Sequence, residues 1–313
     1  MNTPVVMVIF NRPDTALRVF IEIAKAKPSR LLVIADGPRE GRPHEAQLCR
    51  QSREILKLVD WNCSIECCFS DINLGCRQRL STGLSWAFER CEEAIILEDD
   101  CLPHPDFFQY CEEMLTRWRF DQRIMAICGT NLGYNHGADN GYRFTRTPHC
   151  WGWASWRRAW KYYDAEMFSW TKFSSEGGSL RQLIRNRELA DRFSEIFDAV
   201  QRGAIDTWDY QWAWACWSQH GLCVIPNRNL ISNIGFRADA THTTGASIHA
   251  EIPMHKINFP LVDPSAMFVD EDFFSYAAHE SSAQSGSLPR RMLRRVKNLS
   301  VRLLAQVAGR HRG

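Results

Sequence analysis

No stretch of about 18 or more apolar residues occurs in the 313 residues of this chain, so no transmembrane helix is indicated. Residues 1–12 lack the positive start and the small-residue cleavage site of a secretory signal. The expectation is a cytoplasmic protein. Paired cysteine spacing is also missing. The 12 cysteines include no C-x-x-C pair, and in a long chain expected in the cytoplasm they read as buried free thiols. Cys63-x-x-x-Cys67-Cys68 has no matching second pair and no nearby pair of histidines, which leaves a structural zinc site as the minor alternative. Net charge is nearly absent, at +2, but unevenly spread. The last 26 residues, Leu288 to Gly313, hold eight Lys or Arg and no acid, leaving a body of 30 basic and 36 acidic residues. Such a mildly acidic body offers no obvious surface for nucleic acid.

What is present suits a large core. With 45% hydrophobic and 24% charged residues, the chain should form one large domain or two intimately joined ones. Val5 to Phe10 is a continuous apolar run rich in β-formers, and Asn11-Arg12-Pro13-Asp14 then offers a turn into a helix reaching about Ala26, with Asp14 as its cap. Arg30 to Ala35 repeats the pattern, ends in Asp36-Gly37-Pro38, and precedes a helical stretch near His44–Val59. Ser64 to Phe69 is a weaker third strand, followed by the turn Asn73-Leu74-Gly75 and a helix over Leu80–Glu89. Glu93 to Leu97 is a fourth strand that ends in Glu98-Asp99-Asp100; a helix near Phe107–Phe120 and a fifth strand at Ile124–Cys128 follow.

Strands alternating with helices predict an α/β fold with a mostly parallel central sheet flanked by helices. The loops after parallel strands share one edge of the sheet, and ligands bind at that edge. Asn11-Arg12, Asp36-Gly37, Asp71 to Arg77 and Glu98 to Asp100 should therefore line one crevice. Beyond the fifth strand the composition changes, because nine of the 12 tryptophans lie between Trp151 and Trp217. That half is either a ligand-shaping module or an aromatic core. Asp206 to Trp217 reads as a helix, Cys223–Ile225 as a short strand, and Asn227 to Thr244 as irregular.

Three consecutive acids at the end of an apolar strand repel one another unless a cation or hydrogen-bond donors offset them. Oxygen ligands suit Mg or Mn, and an ion that bridges a diphosphate needs only one or two protein carboxylates. The competing reading is a solvated loop that caps the following helix. Trp151-Gly152-Trp153 sets a glycine between two large rings, which suits close backbone approach to a sugar; an aromatic core with a tight turn is the alternative. Trp156, Trp160, Trp212, Trp214 and Trp217 are expected in the core. Met292, Val296, Leu299, Leu303 and Val307 recur at helical spacing among arginines, the pattern of a basic amphipathic helix on an anionic membrane surface. Docking on an acidic partner and an unstructured terminus are the alternatives.

Glu98-Asp99-Asp100 resembles the acidic metal-binding motif of GT-A glycosyltransferases, in the Glu-Asp-Asp form of N-acetylglucosaminyltransferase I relatives. Phe10-Asn11-Arg12-Pro13, Ala35-Asp36-Gly37, Asn73-Leu74-Gly75-Cys76-Arg77 and Trp151-Gly152-Trp153-Ala154-Ser155-Trp156-Arg157 extend the series, which is similar to bacterial family-2-type glycosyltransferases of surface-polysaccharide clusters over about residues 4–245. The resemblance implies a GT-A (nucleotide-diphospho-sugar transferase) fold. It implies that Asp36 reads the base and that Arg12 and Arg77 lie near the diphosphate, with Asn11, Asn73, Trp151, Gly152 and Trp153 also on the donor. It implies Asp100 as the metal ligand, Asp99 toward ribose or metal-bound water, and Glu98 in support. His242 would complete the metal shell, with His104 and His149 as weaker candidates. Asp209 matches the catalytic base at a helix entry, with Asp206 as the alternate; both would otherwise serve as helix-capping acids. The related sequences often have two adjacent acids there, whereas this chain has Asp209-Tyr210.

These expectations add up to a metal-dependent, inverting glycosyltransferase. It would use Mn or Mg and move a sugar from a nucleotide-diphosphate donor, UDP-sugar favoured, to a hydroxyl of a surface-glycan or lipid-linked glycan acceptor. Residues 1–130 would bind the nucleotide sugar and 131–274 the acceptor, with 275–287 a linker and 288–313 a tail touching the inner face of the cytoplasmic membrane. A sugar nucleotidyltransferase is disfavoured, because its first strand would lead into a Gly-rich loop with Arg and Lys, which Asn11-Arg12-Pro13-Asp14 is not. A noncatalytic, membrane-associated nucleotide-binding or lytic protein is the alternative of a different class.

Overall fold

The computed structural model describes residues 1–236 and 250–284, without the side chains of 279–284. His242 and the tail expected over 288–313 lie outside the described residues. The first half alternates strands and helices: β1 Val5–Ile9, α1 Pro13–Ala26, β2 Arg30–Ala35, α2 Pro43–Glu54, β3 Ser64–Phe69, α3 Gly75–Arg90 and β4 Glu93–Glu98. Strands β1 and β2 carry unbroken apolar runs because both of their faces are covered. Helix α1 buries Ala16, Val19, Phe20 and Ile23 on one stripe, and each of the larger side chains contributes roughly 1.5–3 kcal/mol of burial. Pro13 opens that helix at its first position, where a missing N–H costs nothing. Asp14 is not the cap that the sequence suggests. It lies in the first turn, where its charge favours the helix dipole.

The second half continues with β5 Cys101–Pro103, α4 Asp106–Trp118, β6 Ile124–Cys128, β7 Tyr142–Thr145, β8 Trp153–Trp156, α5 Arg157–Trp160, α6 Phe168–Ser175, α7 Arg187–Gln201, α8 Asp209–Ser218, β9 Leu222–Pro226, β10 Ile231–Asn233 and α9 Glu271–Gln284. Eight strands form one sheet in the order β3-β2-β1-β4-β8-β6-β9-β7, and β5 pairs with β10 apart from it. Strands β3, β2, β1 and β4 are parallel, whereas β8 runs antiparallel between β4 and β6. The fold is thus α/β with a mostly parallel central sheet flanked by helices. The register sets Ile9 beside Ala35 and Val8 beside Glu98. The loops after β1, β2 and β4 therefore leave the sheet at one level, and the chain order reverses between β1 and β4, where such sheets open a crevice.

Three local readings change. Helix α3 begins at Gly75 rather than Leu80, because a carboxylate outside the helix, Asp36, accepts the N–H groups of Leu74 and Gly75. Helix α8 begins at Asp209, after Trp208, so Asp206 stands outside it and does not cap it. The chain divides after Phe274, but 275–284, expected as the start of a linker, is helical within α9. Asp270 starts that helix by accepting the N–H of Phe273 at 2.9 Å, and its Ser and Ala residues suit a helix as well as a linker.

Candidate functional site

The loops after β1, β2, β3 and β4 meet through charged and polar side chains. Asp36, at the end of β2 and only 6% exposed, accepts from Gly37 N–H at 2.9 Å, Leu74 N–H at 2.9 Å, Gly75 N–H at 3.1 Å and Asn73 Nδ2 at 3.0 Å. Burial pushes its pKa above the ordinary value, while those N–H groups and the nearby Arg79 pull the other way. Asn73 also donates to the Gly37 carbonyl at 2.9 Å. Gly37 is required here, since a Cβ would lie 2.5 Å from the Ile72 backbone. Both Asp36 oxygens are thus engaged in clasping the β3–α3 loop. Reading a base, the role the resemblance implies, does not fit this arrangement, and Asn73 serves the same clasp.

A second clasp holds the loop after β1. Asn11 Nδ2 donates to Glu45 at 2.9 Å, and Glu45 also takes the Arg39 backbone N–H at 2.7 Å and the Arg39 guanidinium. Burial works against the Glu45 charge, but Arg39 prevails and holds its pKa below the usual value. Arg39 lies over the Phe10 ring, 5.7 Å from its centroid. Nothing in the local sequence singled out Arg39 or Glu45; only the Arg-Pro-Asp turn and the polar start of α2 hinted at this network.

Arg77 is not aimed at a diphosphate. It donates to the Ala165 carbonyl at 3.0 Å through Nε and to the Val200 carbonyl at 3.4 Å, and it pairs with Glu166 at 3.1 Å. It ties the N-terminus of α3 to the α5–α6 loop and to the end of α7.

The acidic triplet meets Arg12. Asp99 is 3% exposed; one oxygen pairs with the Arg12 guanidinium and the other accepts the Phe10 N–H at 3.2 Å. Asp100 pairs with Arg12 Nη1 at 3.0 Å. Burial opposes the Arg12 charge, yet Asp99 and Asp100 outweigh it and raise the pKa of the guanidinium. Asp99 lacks the exposure that a contact to ribose needs. The Ile234 N–H donates to the Asp100 carbonyl at 2.8 Å, and Gly235 packs on the Asp100 and Arg12 side chains with no space for a Cβ. Glu98, half-buried, makes none of these bonds. Burial first, then Asp100, Asp99 and Asp209, push its pKa well above the carboxylate range against the pull of Arg12.

Asp209 lies in the first turn of α8, near enough for its charge to act on Glu98. It is exposed, and a single oxygen takes both the Thr207 hydroxyl and the Tyr210 N–H. Cys76 lies in the first turn of α3. Its thiol is raised by burial and then by Glu98, Asp209, Asp206 and Asp36. An Asp206 oxygen lies 3.2 Å from the position that a Cβ on Gly75 would take. The Asp36 carboxylate at the end of β2 and the Asp206 carboxylate before α8 therefore meet the start of α3, and the charges of Glu98 and Asp209 act on it. Cys76 is the residue that sequence reading missed; its place inside the Asn73–Arg77 motif was the available signal.

The tryptophan motif divides. Trp153 is 1% exposed and packs against Trp208, Trp160 and Trp212 at 5.2–6.3 Å between ring centroids within that group. It is core, not a sugar platform, because β8 occupies the middle of the sheet. Gly152 has φ +58° and faces Ile231 and Leu97 without room for a side chain; the close approach it permits is to the protein's own strands. Trp151 is half-buried and meets Phe236 edge-on at 5.6 Å. His104 caps the start of α4, accepting the Asp106 N–H at 3.1 Å, and His149 is buried against Phe273.

Among the described residues no three His, Cys, Asp or Glu side chains converge as a metal cage. The chemistry of the pair nonetheless fits a cation: two hard carboxylates turn their oxygens toward one positive group, the Arg12 guanidinium, which stands in for it. Asp100 alone could serve a divalent ion without stripping Asp99 of its buried donors.

No protein-family model matches the chain and no curated protein matches it. Solved structures give faint likenesses. A UDP-glucose pyrophosphorylase complexed with UDP-glucose is 7% identical over 72% of this chain and 90% of that one, with a TM-score of 0.33. The 4-diphosphocytidyl-2C-methyl-D-erythritol synthase of Anaerococcus prevotii is 9% identical over 55% and 84%, with a TM-score of 0.32. A mannose-1-phosphate geranyltransferase of Thermus thermophilus is 10% identical over 72% and 74%, at 0.30. At such scores the likenesses carry no argument, and the fold rests on the strand pairing itself.

Proposed function

We propose that the chain is a glycosyltransferase of GT-A type that moves a sugar from a nucleotide-diphosphate donor to a hydroxyl of a glycan acceptor. The observation that carries this reading is the gathering of Arg12, Asp99 and Asp100 at the carboxyl edge of the parallel strands, with Asp209, in the first turn of α8, near enough for its charge to act on Glu98. An inverting displacement needs a base on the face opposite the leaving diphosphate. Asp209 suits that role, since it is exposed and the Thr207 hydroxyl and Tyr210 N–H fix one of its oxygens. The other oxygen accepts no hydrogen bond among the described residues and would take the acceptor proton.

Arg12 supplies charged N–H donors for phosphate oxygens, and Glu98 presents a carboxyl without a partner among these bonds to hydroxyls of the donor sugar. The Asp36 and Glu45 clasps hold the loops on which the nucleotide would rest. A divalent ion, Mn or Mg, would be held by Asp100 and would neutralise charge on the leaving diphosphate. His242, expected to complete its shell, lies outside the described residues. No helix among the described residues is long and apolar enough to cross a membrane; contact of the tail with a lipid surface, and a lipid-linked acceptor, remain part of this proposal.

Calorimetric titration of UDP-, GDP- and dTDP-sugars into wild type and Asp209→Asn, with Mn, tests the reading. Donor binding in both proteins, with sugar transfer by wild type alone, is expected. No binding to any of these donors overturns it. Release of nucleotide sugar from a sugar phosphate and a nucleoside triphosphate would make the chain a nucleotidyltransferase instead.

A further inference from the structure

We infer that Arg12 exchanges between two partners: it neutralises Asp100 while the crevice is empty, and it moves onto the diphosphate when a divalent ion takes its place on Asp100. The inference rests on the sugar-nucleotide reading of the site and adds a coupling to it.

The geometry divides the acidic pair into a fixed and a releasing member. Asp99 is buried, and its second oxygen is held by the Phe10 N–H at 3.2 Å. Its grip on the guanidinium is a pivot. Asp100 is more exposed, its side chain retaining 17% of its accessible surface, and it holds Arg12 through Nη1 alone at 3.0 Å. Only two of the five guanidinium N–H groups are engaged among the described residues. A small rotation about the Asp99 contact would free Nη1 for an incoming phosphate oxygen.

Charge explains why both ligands are needed. Asp99, Asp100 and Arg12 together carry a net negative charge, so a diphosphate entering alone meets repulsion from Asp100 and a guanidinium whose charge the two aspartates already offset. A divalent ion entering alone must evict Arg12 from Asp100 and leave its guanidinium short of a partner in a half-buried place. Entering together, the ion replaces Arg12 on Asp100 and the diphosphate receives Arg12. Each ligand thus removes the cost of the other, and linkage makes the effect reciprocal.

The test uses the full chain, Mn and UDP, with free Mn followed by electron paramagnetic resonance and UDP by calorimetry. For wild type, UDP should tighten Mn binding about tenfold or more, and Mn should tighten UDP binding by the same factor. Arg12→Met should bind Mn alone more tightly than wild type, because Asp100 is released, and the coupling should fall toward onefold. Asp100→Asn should lose Mn binding and, in EDTA, bind UDP more tightly than wild type, because Arg12 is released. Circular-dichroism melts establish that each variant is folded; should Arg12→Met not fold, the Asp100→Asn arm decides alone. Mn affinity unchanged or weaker in a folded Arg12→Met, or UDP affinity in EDTA unchanged or weaker in Asp100→Asn, overturns the exchange. If wild type binds no UDP, GDP or dTDP with or without Mn, the sugar-nucleotide reading fails and the exchange falls with it. Nucleotide binding without the predicted coupling sinks the exchange and leaves that reading standing.

Discussion

The carboxyl edge of the parallel strands and the tryptophan-rich second half are held by different forces. At the edge, single polar atoms do the holding: Asp36 clasps one loop, Glu45 another, and Asp99 fixes Arg12. In the second half, rings pack on rings, and the indole N–H groups of Trp153, Trp156 and Trp212 are buried without a partner among the described residues. Those of Trp160, Trp170, Trp214 and Trp217 do find oxygens, at 2.9–3.1 Å. A ring cluster tolerates an unpaired N–H because burial outweighs the cost of one lost hydrogen bond. A loop clasp has no such reserve. Damage to the cluster should therefore be global, and damage to the edge should be local and register first in binding.

The severest way to test that contrast is Trp212→Ala. It removes a side chain that touches Trp153 and Trp160 and should cost about 3–5 kcal/mol of stability, read as a lower urea midpoint. Donor affinity, measured below the transition, should stay near wild type; a lost affinity would mean that the two regions are one. Asp209→Asn should do the reverse. Transfer should slow roughly 10²–10⁴-fold, while the melting temperature moves little, since Asp209 is exposed. Asp36→Asn lies between. It turns an amide toward N–H donors that need an acceptor and should cost about 1–3 kcal/mol while weakening donor binding, a pairing that thermal melts and calorimetry check together.

The smallest effect concerns Glu98. Its pKa is raised in the fold, so the folded state holds this proton more tightly than the unfolded chain does. Stability from this group is greatest below the ordinary glutamate value and is lost as pH rises toward the raised one. Glu98→Gln should therefore match wild type at low pH and exceed it in stability at neutral pH. Melts across the pH range would show this, and an advantage that shrinks with rising pH would contradict the shift.

Much of the first half was legible. Apolar runs followed by Asp, Asn or Gly marked β1, β2 and β4 within a residue or so, since a strand buried on both faces needs an unbroken run and the turn after it needs residues of that kind. The second half was not. Trp151-Gly152-Trp153 reads as a sugar platform or an aromatic core with a tight turn, yet Trp153 opens a central antiparallel strand, β8, paired with β4 and β6. Two helices between Phe168 and Gln201 were also missed. Ring-rich segments of few residues carry no clear period, and their state is decided by what they pack on. Among site residues, the gathering of Arg12, Asp36, Asn73, Glu98, Asp99 and Asp100 at one edge followed from strand order, whereas Arg77 and Trp153 turned out to serve packing and loop anchorage.

The sequence by itself determined the β–α alternation, the parallel edge where the loops gather, and the acidic end of β4, because these follow from local periodicity and from the rule that loops after parallel strands share an edge. Only the tertiary structure decided which partner each polar side chain takes. Arg12 meets Asp99 across 87 residues, and Arg77 meets Ala165 across 88. A buried charge settles on whatever opposite charge or hydrogen-bond acceptor the packed chain brings within about 3 Å, and no local pattern in the sequence encodes that approach.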